Sequence, residues 1–401
     1  MRQQIGAILL VAGTCLGSGM IALPLVLANL GLVPALGLMA VIWYFTYYTS
    51  LIHLELNLQA GKGVSLGTLG RQFSGKIASY LGFSSIKWLS YALLAAYLYG
   101  GSSIFQKLLS TYVGGIYPIR SIATLYAAVA IFVLLLPLKL IDYINSLLFV
   151  GLLGVVAFLL TGLATSLEWT HLPLFMPGMT QFSVWRTIIP VMLTSFGFQV
   201  IFHILMHYCG PQSLRLKRAF FWGSLLPACV YALWTISILG TLYHHTPAFY
   251  QAMQNGTVEV GDLIHALSSI AKWPFIQLLV WWISLLAIIT SVLGVGVGLC
   301  DSIKDMLLHK IPQAPIRSLT AALITILPAY TIALVIPNAF LTMLGFAGLI
   351  LVFIAVFLPY YLLKQGHFKH LHYPELRNKS LLKGALLLGG IIVVCEVRNL
   401  F

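Results

Sequence analysis

Charge is what this sequence has least of. Only 8% of its 401 residues are Asp, Glu, Lys or Arg, and nine of those are acidic, where soluble domains run at roughly 25% charged residues. Cysteine is scarce too. Cys15, Cys209, Cys229, Cys300 and Cys395 stand singly with no CxxC pair, so neither a disulfide framework nor a zinc site is indicated. HExxH is missing, which removes a common signature of a hydrolytic metalloenzyme.

What fills the space is apolar. Hydrophobic residues make up 60% of the chain, and the mean hydropathy is +0.97. A soluble fold of this length cannot hide so much apolar surface, whereas a bilayer solvates it. Long runs near the roughly 20 residues needed to cross the hydrocarbon core recur from end to end. They are continuous rather than alternating, which excludes a β-barrel and predicts an all-α polytopic membrane protein. The expected spans are 5–30, 33–57, 86–110, 121–138, 144–166, 187–208, 219–242, 273–300, 317–336, 338–363 and 382–397, about eleven in all. Lys139–Tyr143 reads as the tight turn between the fourth and fifth. The N-terminal run resembles a signal peptide. Thr14 before Cys15 spoils a lipoprotein cut and the run continues past any A-x-A site, so it reads as a retained first span.

A formal charge of +13 would suggest nucleic acid on a soluble protein. Here the basic residues fall between spans and read as topology signals. With the N-terminus in the cytoplasm, the inner loops hold Arg2, Lys62, Arg71, Lys76, Lys87, Lys139, Arg215, Lys217, Arg218, Lys304, Lys310, Arg317, Lys364, Lys369, Arg377, Lys379 and Lys383. The outside keeps Lys107, Arg120, Arg186, Lys272 and Arg398, a bias of roughly three to one. An odd span count then places the C-terminus outside. The outer segment Tyr243–Lys272 predicts an amphipathic helix near Val258–Ile270, and the inner segment Gly61–Gly82 looks similar.

Two spans carry breaks. In the first, Gly13, Gly17 and Gly19 are followed by Pro24. Glycine costs about 1 kcal/mol against alanine inside a helix and proline about 3, a cost that opened backbone lining a polar cavity would justify. Close packing through Gly13-xxx-Gly17 is the alternative. Five spans later, Pro190 and the run Leu193-Thr194-Ser195-Phe196-Gly197-Phe198-Gln199 interrupt the sixth span. Paired interrupted helices at corresponding positions point to an inverted-repeat transporter. Neither a channel, for which charged rings or a repeated filter loop are lacking, nor a membrane-embedded enzyme, for which an intramembrane acidic pair is lacking, needs this arrangement. At such breaks free N–H groups near Gly17, Ser18 and Gly19 suit a carboxylate. Carbonyls near Val11–Gly13 and Leu193–Ser195 suit an ammonium. A zwitterionic amino acid satisfies both without any charged side chain.

The segment Ala12–Pro24 resembles the AGTxIGAGMLALP signature of the hydroxy/aromatic amino acid permeases, which include bacterial tyrosine and tryptophan permeases. Thr194–Phe198 is similar to that family's TSFGF/Y element, and Thr290–Asp301 to its TSFLGVxLGLFD stretch. The resemblance covers essentially the whole chain and is nearest the tyrosine branch. It implies a five-plus-five inverted repeat of the leucine-transporter type with broken helices 1 and 6: residues 1–166, then 187–363, then an extra helix in 382–401. It also implies uptake of an aromatic amino acid, tyrosine first, with protons and no cofactor. Permeases for tryptophan, serine or threonine, or branched-chain amino acids are the alternatives, as is sodium coupling. After Phe198 the family continues with His and a Pro-Ser pair, where this chain has Gln199 and then Phe202-His203.

The residues expected at the substrate are Gly13, Thr14, Gly17, Ser18, Gly19, Ser195, Phe196, Gly197, Phe198 and, on span three, Tyr97. For the coupling ion they are Glu55, His203, Thr290 and Ser291. Glu55 reads either as a proton carrier or as an interfacial acid paired with Lys62 or Lys87. His203 and His207 share a helical face but lack a third metal ligand, so pore lining or proton transfer is expected. Thr290 and Ser291 are the hydroxyl type that binds sodium in some inverted-repeat transporters. His367, His370 and His372 read as lipid-headgroup contacts.

Overall fold

A bilayer core offers the backbone no hydrogen-bond partner, so each apolar run must close its own ladder as a helix. The computed structural model describes residues 2–166, 171–198, 201–270, 274–308 and 310–400. Regular structure among them is helical throughout. In chain order it comprises α1 (Arg2–Cys15), α2 (Ser18–Leu27), α3 (Leu32–Gln59), α4 (Leu66–Phe73), α5 (Lys76–Tyr112), α6 (Ile119–Leu134) and α7 (Leu138–Ser166). Then follow α8 (Phe182–Ser195), α9 (Phe202–Cys209), α10 (Ser213–His245), α11 (Pro247–Gln254), α12 (Val260–Ile270) and α13 (Pro274–Leu307). The chain ends with α14 (Ala314–Val335), α15 (Ala339–Val352), a π-helical turn Phe353–Phe357, α16 (Leu358–Gln365) and α17 (Lys379–Leu400). Among the described residues seven helices are long and apolar enough to cross a membrane, and the bent pair α1–α2 makes an eighth when taken as one span.

Burial sorts these helices into a centre and a rim. In α3, α10, α13 and the α15–α16 unit more than half of the most apolar stretch is buried in protein, whereas in α7 the share is 18%. Leu147 and Val150 on α7, Leu319 and Leu327 on α14, and Leu387 and Val394 on α17 are all exposed. Faces so apolar and so open belong against lipid tails, which solvate them as well as protein does.

Two boundaries differ from expectation. Pro137, which has no N–H to lose, immediately precedes α7, so the turn is Leu135–Pro137 and Lys139–Tyr143 already belongs to the helix. Span three is longer than its apolar core, because α5 starts at Lys76 and folds back on α4, where Leu66 and Leu69 are buried. The expected outer amphipathic helix is α12, whose Val260, Leu263, Ile264 and Leu267 face inward.

At the end of the molecule remote from the chain start, α2 and α3 are joined through Gly31 (φ 81°), where a Cβ would lie 2.8 Å from the Leu174 carbonyl. Only glycine meets both conditions. The approach lets Leu32 and Val33 N–H donate to the Pro173 and Leu174 carbonyls. α11 caps the same end: Tyr250 hydroxyl donates to Ala28 O at 2.9 Å, and Asn29 Nδ2 to Gln254 O at 2.8 Å.

Candidate substrate site

The first break lies between Cys15 and Ser18, with α1 and α2 bent by 50° across it. It comes later than the glycine spacing alone suggests. Gly13 and Thr14 are inside α1, where Gly13 packs against the Phe149 ring and the Thr14 hydroxyl returns to Val11 O at 2.8 Å. Val11 and Ala12 carbonyls already have donors, Ala12 from Leu16 N–H at 3.0 Å. The helix-end carbonyl at the break is instead that of Cys15, which accepts the Tyr231 hydroxyl. On the far side of the break Gly17 is the N-cap of α2 and no side chain caps the helix, so its first amides stay available. Pro24 falls inside α2 rather than at the break.

The second break follows Ser195. Phe196 leaves the helical region (φ −97°, ψ 33°), and its N–H closes a tight turn onto Leu193 O at 3.0 Å. Phe198 N–H bonds Phe196 O at 2.9 Å, and α9 begins at Phe202. Gln199 lies outside the described residues, as do the side chains of Ser18, His203 and His207. Thr194 ties this helix end to α15, donating to Leu344 O at 2.8 Å.

The two breaks meet. A Cβ at Gly19 would stand 2.8 Å from Ser195 Cβ and 2.9 Å from its Cα, so α2 approaches α8 at backbone distance. A Cβ at Gly17 would stand 2.5 Å from Ser291 Oγ on α13, whose hydroxyl donates to Ala287 O at 2.7 Å. Thr290 is turned back onto Leu286 O at 2.8 Å. The junction of the two helix ends is made by Tyr231 of α10, fully buried, whose hydroxyl reaches Cys15 O at 2.5 Å and Ser195 O at 2.8 Å. One phenolic proton serves two helix-terminal carbonyls, so their four lone pairs are under-filled and face one point. Phe196 is fully buried, with its ring edge-on to Tyr231 at 5.4 Å.

Other expected residues fall at different places. Tyr97 is buried on α5. Phe198 packs into a cluster with Phe220 and Phe202. His53 joins that cluster, stacked on Phe202 at 4.4 Å, and its Nε2 lies 2.7 Å from Ile354 O in the π-helical turn. A carbonyl only accepts, so Nε2 carries the proton. Sequence patterns singled out neither Tyr231 nor His53 for these contacts, since one tyrosine among 19 has no local signature.

Glu55 is paired differently from either expectation about lysine. It is fully buried, and its oxygens accept the backbone N–H of His372 (2.9 Å) and Tyr373 (3.1 Å), His372 Nδ1 (3.0 Å) and Gln59 Nε2 (2.7 Å). Lys87 instead reaches Met306. His372 thus helps to hold Glu55 in place. The segment before α17 is strapped across the α3 and α10 ends, with Tyr373 hydroxyl on Ser213 O at 3.0 Å and Lys217 on Glu375. Burial pushes the Glu375 carboxyl up, but the Lys217 hydrogen bond and charge outweigh it and hold it below the usual carboxylate range. That pair is present at neutral pH and is lost as pH falls through the lowered value. A third exposed, it contributes little. Glu55→Ala is expected to orphan four donors, cost about 3 kcal/mol, and open residues 370–373 to protease. Unchanged thermal unfolding in detergent would count against the strap. A second buried acid, Glu396 on α17, is 2% exposed and accepts from Asn399 Nδ2 at 3.1 Å; a Cβ on Gly345 would lie 2.8 Å from its Oε2.

A chain whose helices expose apolar faces around two broken, uncharged helices is a multi-pass α-helical membrane protein built around a small polar junction. Comparison with known proteins agrees. The model of the tryptophan/tyrosine permease family matches residues 1–399, and the chain belongs to that family. It is a permease and not an enzyme. It is 30% identical to the tyrosine-specific transport system 1 of Haemophilus influenzae over 374 residues, 93% of this chain and 91% of that one. It is 29% identical to the tryptophan-specific transport protein of Pseudomonas aeruginosa, covering 88% and 84% of the two chains. Glutamine transporter 2 of Aliivibrio fischeri is 26% identical, with 97% of each chain covered.

Proposed function

We propose that the protein imports an aromatic amino acid, tyrosine first, across the bacterial inner membrane in symport with protons. The observation that carries this is the meeting of the α1 and α8 ends at Tyr231, with the uncapped start of α2 beside them. Helix-end carbonyls attract an ammonium and helix-start amides a carboxylate. A zwitterion therefore binds between Cys15, Gly17, Ser18, Gly19 and Ser195 with no fixed charge nearby. Phe196, Gly197 and Tyr97 supply the wall for the side chain, with Gly13 and Thr14 one turn behind. The names of the Haemophilus and Pseudomonas relatives favour an aromatic side chain.

An inverted repeat of eleven spans accounts for the order of the elements. Each half runs from a broken pair (α1–α2, α8–α9) to a long helix (α3, α10), short amphipathic helices (α4; α11 and α12) and a long helix (α5, α13). Two further spans follow in each (α6 and α7; α14 and α15–α16), and α17 is the extra helix. The basic bias of the loops favours a cytoplasmic N-terminus and a periplasmic C-terminus. For the proton, Glu396 is favoured over Glu55, whose oxygens are already filled by donors. His203 stays a candidate relay, and Thr290 and Ser291 would serve sodium if that ion is used.

Counterflow in proteoliposomes with labelled tyrosine, tryptophan, phenylalanine, serine, leucine and glutamine tests the reading. Exchange of the aromatic amino acids is expected, and an inward pH gradient should drive net uptake without sodium. Exchange of none of them would sink the assignment.

A further inference from the structure

The extra helix α17 carries one acid, Glu396, and buries it: the residue is 2% exposed on a helix whose most apolar stretch is only 28% buried. An ionisable side chain hidden at membrane depth is either held by partners or put to use. Little holds this one. Asn399 Nδ2 donates to its Oε2 at 3.1 Å, one neutral amide for two oxygens that together accept about four hydrogen bonds. Glu55, filled by donors from His372, Tyr373 and Gln59, is the contrast within the same molecule. Both Glu396 oxygens instead lie on bare backbone, since a Cβ at Gly345 of α15 would stand 2.8 and 2.9 Å from them.

A counter-charge stands on α8. Arg186 is that helix's single charged residue, and its Nε is buried with no hydrogen-bond partner. Asn399 ties the two residues together, because the amide that serves Glu396 also donates to the Arg186 carbonyl at 2.9 Å. Among the described residues no ion pair joins Glu396 to Arg186. The other charges of α17 face elsewhere. Arg398 is exposed, lies over the Phe182 ring at 5.8 Å, and two positions along a helix put it on another face from Glu396. Lys379 and Lys383 belong to the opposite end of α17. Cys395 is the remaining titratable neighbour, and neither α15 nor the π-helical turn holds a titratable side chain.

This corner is joined to the helix breaks through α15. Leu344, next to Gly345, accepts the Thr194 hydroxyl at 2.8 Å, and a Cβ at Gly348 would stand 2.5 Å from the Pro190 carbonyl. α8 is therefore seated on the same stretch of α15 as Glu396. Ser195 ends α8 and offers its carbonyl to Tyr231 at 2.8 Å, so a displacement of α8 reaches the substrate junction. We propose that Glu396 and Arg186 form a two-position proton switch. With a proton, the carboxyl is neutral and rests on Gly345. Without it, the carboxylate accepts the free Arg186 Nε–H, drawing the start of α8 towards α17 and shifting Ser195 at its other end. Glu396 alone carries the proton, and Arg186 is a positioning residue. The inference rests on the proton-coupled import proposed above, to which it adds the competing cation and the route to the breaks.

The test uses the full chain in proteoliposomes, measuring tyrosine counterflow beside uptake driven by an imposed pH gradient. Glu396→Gln keeps an acceptor for Asn399 and the fit on Gly345 but cannot exchange a proton. Its gradient-driven accumulation is expected to fall about tenfold or more, while counterflow persists. Arg186→Gln removes the cation that competes with the proton, so the external pH at half-maximal driven uptake should move about one unit alkaline. Arg186→Lys should move it most of the way back, a reversal that damage to the fold does not produce. Glu396→Gln that accumulates tyrosine as the wild type does would overturn the inference. Equal loss of counterflow and accumulation in that variant would also overturn it, as would an Arg186→Gln profile that stays in place or moves acid. A wild type that exchanges tyrosine but ignores the pH gradient has failed the proton reading beneath it, and one that exchanges nothing has failed the import reading. Both are seen in the wild type alone and are distinct from the variant results.

Discussion

Tyr231→Phe is expected to lower uptake by about 10–100-fold while the protein still inserts and keeps its fold. The substitution retains the ring, so the edge-on contact with Phe196 at 5.4 Å survives. It removes the hydroxyl shared by Cys15 O and Ser195 O, the terminal carbonyls of α1 and α8. Both then lose a donor in a fully buried position, where an unmet carbonyl costs about 1–3 kcal/mol. A few kcal/mol spread over two helix ends shifts their register by fractions of an ångström. A zwitterion held by backbone groups from both helices is sensitive to such a shift. The loss should appear in Vmax as well as KM, because the same carbonyls must re-form their contacts as substrate leaves. Measured uptake of labelled tyrosine equal to wild type, at equal protein in the membrane, would show that the bridge is only packing.

The second large effect is expected at the glycines of the first break, and the structure ranks them. At Gly19 even alanine places its methyl 2.9 Å from Ser195 Cα, a backbone atom that cannot rotate away. Overpacking of this kind costs about 1–3 kcal/mol, and relief requires α2 to back away from α8, which opens the junction. Gly19→Ala should therefore reduce uptake at least tenfold. At Gly17 the methyl meets Ser291 Oγ, a hydroxyl that can turn, so Gly17→Ala should be milder. Gly17→Leu should abolish uptake without preventing membrane insertion. Gly13→Ala meets the edge of the Phe149 ring and should matter least. A flat response across Gly13, Gly17 and Gly19 in uptake assays normalised to membrane protein would contradict this order.

The position of the breaks was readable to within a few residues, and the reason for the shift is instructive. Glycine and proline raise the cost of a helix wherever they occur, so a cluster of them marks a region rather than a bond. Thr14 keeps α1 going past Gly13 by returning its hydroxyl to Val11 O, and the helix stops only where Gly17 lies against α13. Glu55 shows the opposite limit. Its burial near the end of α3 was legible as significant, yet its partners come from residues 372 and 373, more than 300 positions away. No local rule reaches that distance.

By itself the sequence determined the class of the molecule and the character of its site. Hydropathy requires a helical membrane protein because the backbone has no other way to satisfy its hydrogen bonds in lipid. The uncharged, glycine-rich interruptions mark where helix-end backbone, rather than charged side chains, is left open. Tertiary structure alone decided which groups converge: Tyr231 between two helix ends, Ser195 against Gly19, Glu55 under residues 372 and 373, and Glu259 between the Tyr99 and Ser103 hydroxyls. Helix formation depends on neighbours within a turn or two, which a linear reading can follow. Convergence depends on how separate helices pack, and in a membrane that is set by small-residue contacts and side-chain hydrogen bonds between partners remote in sequence.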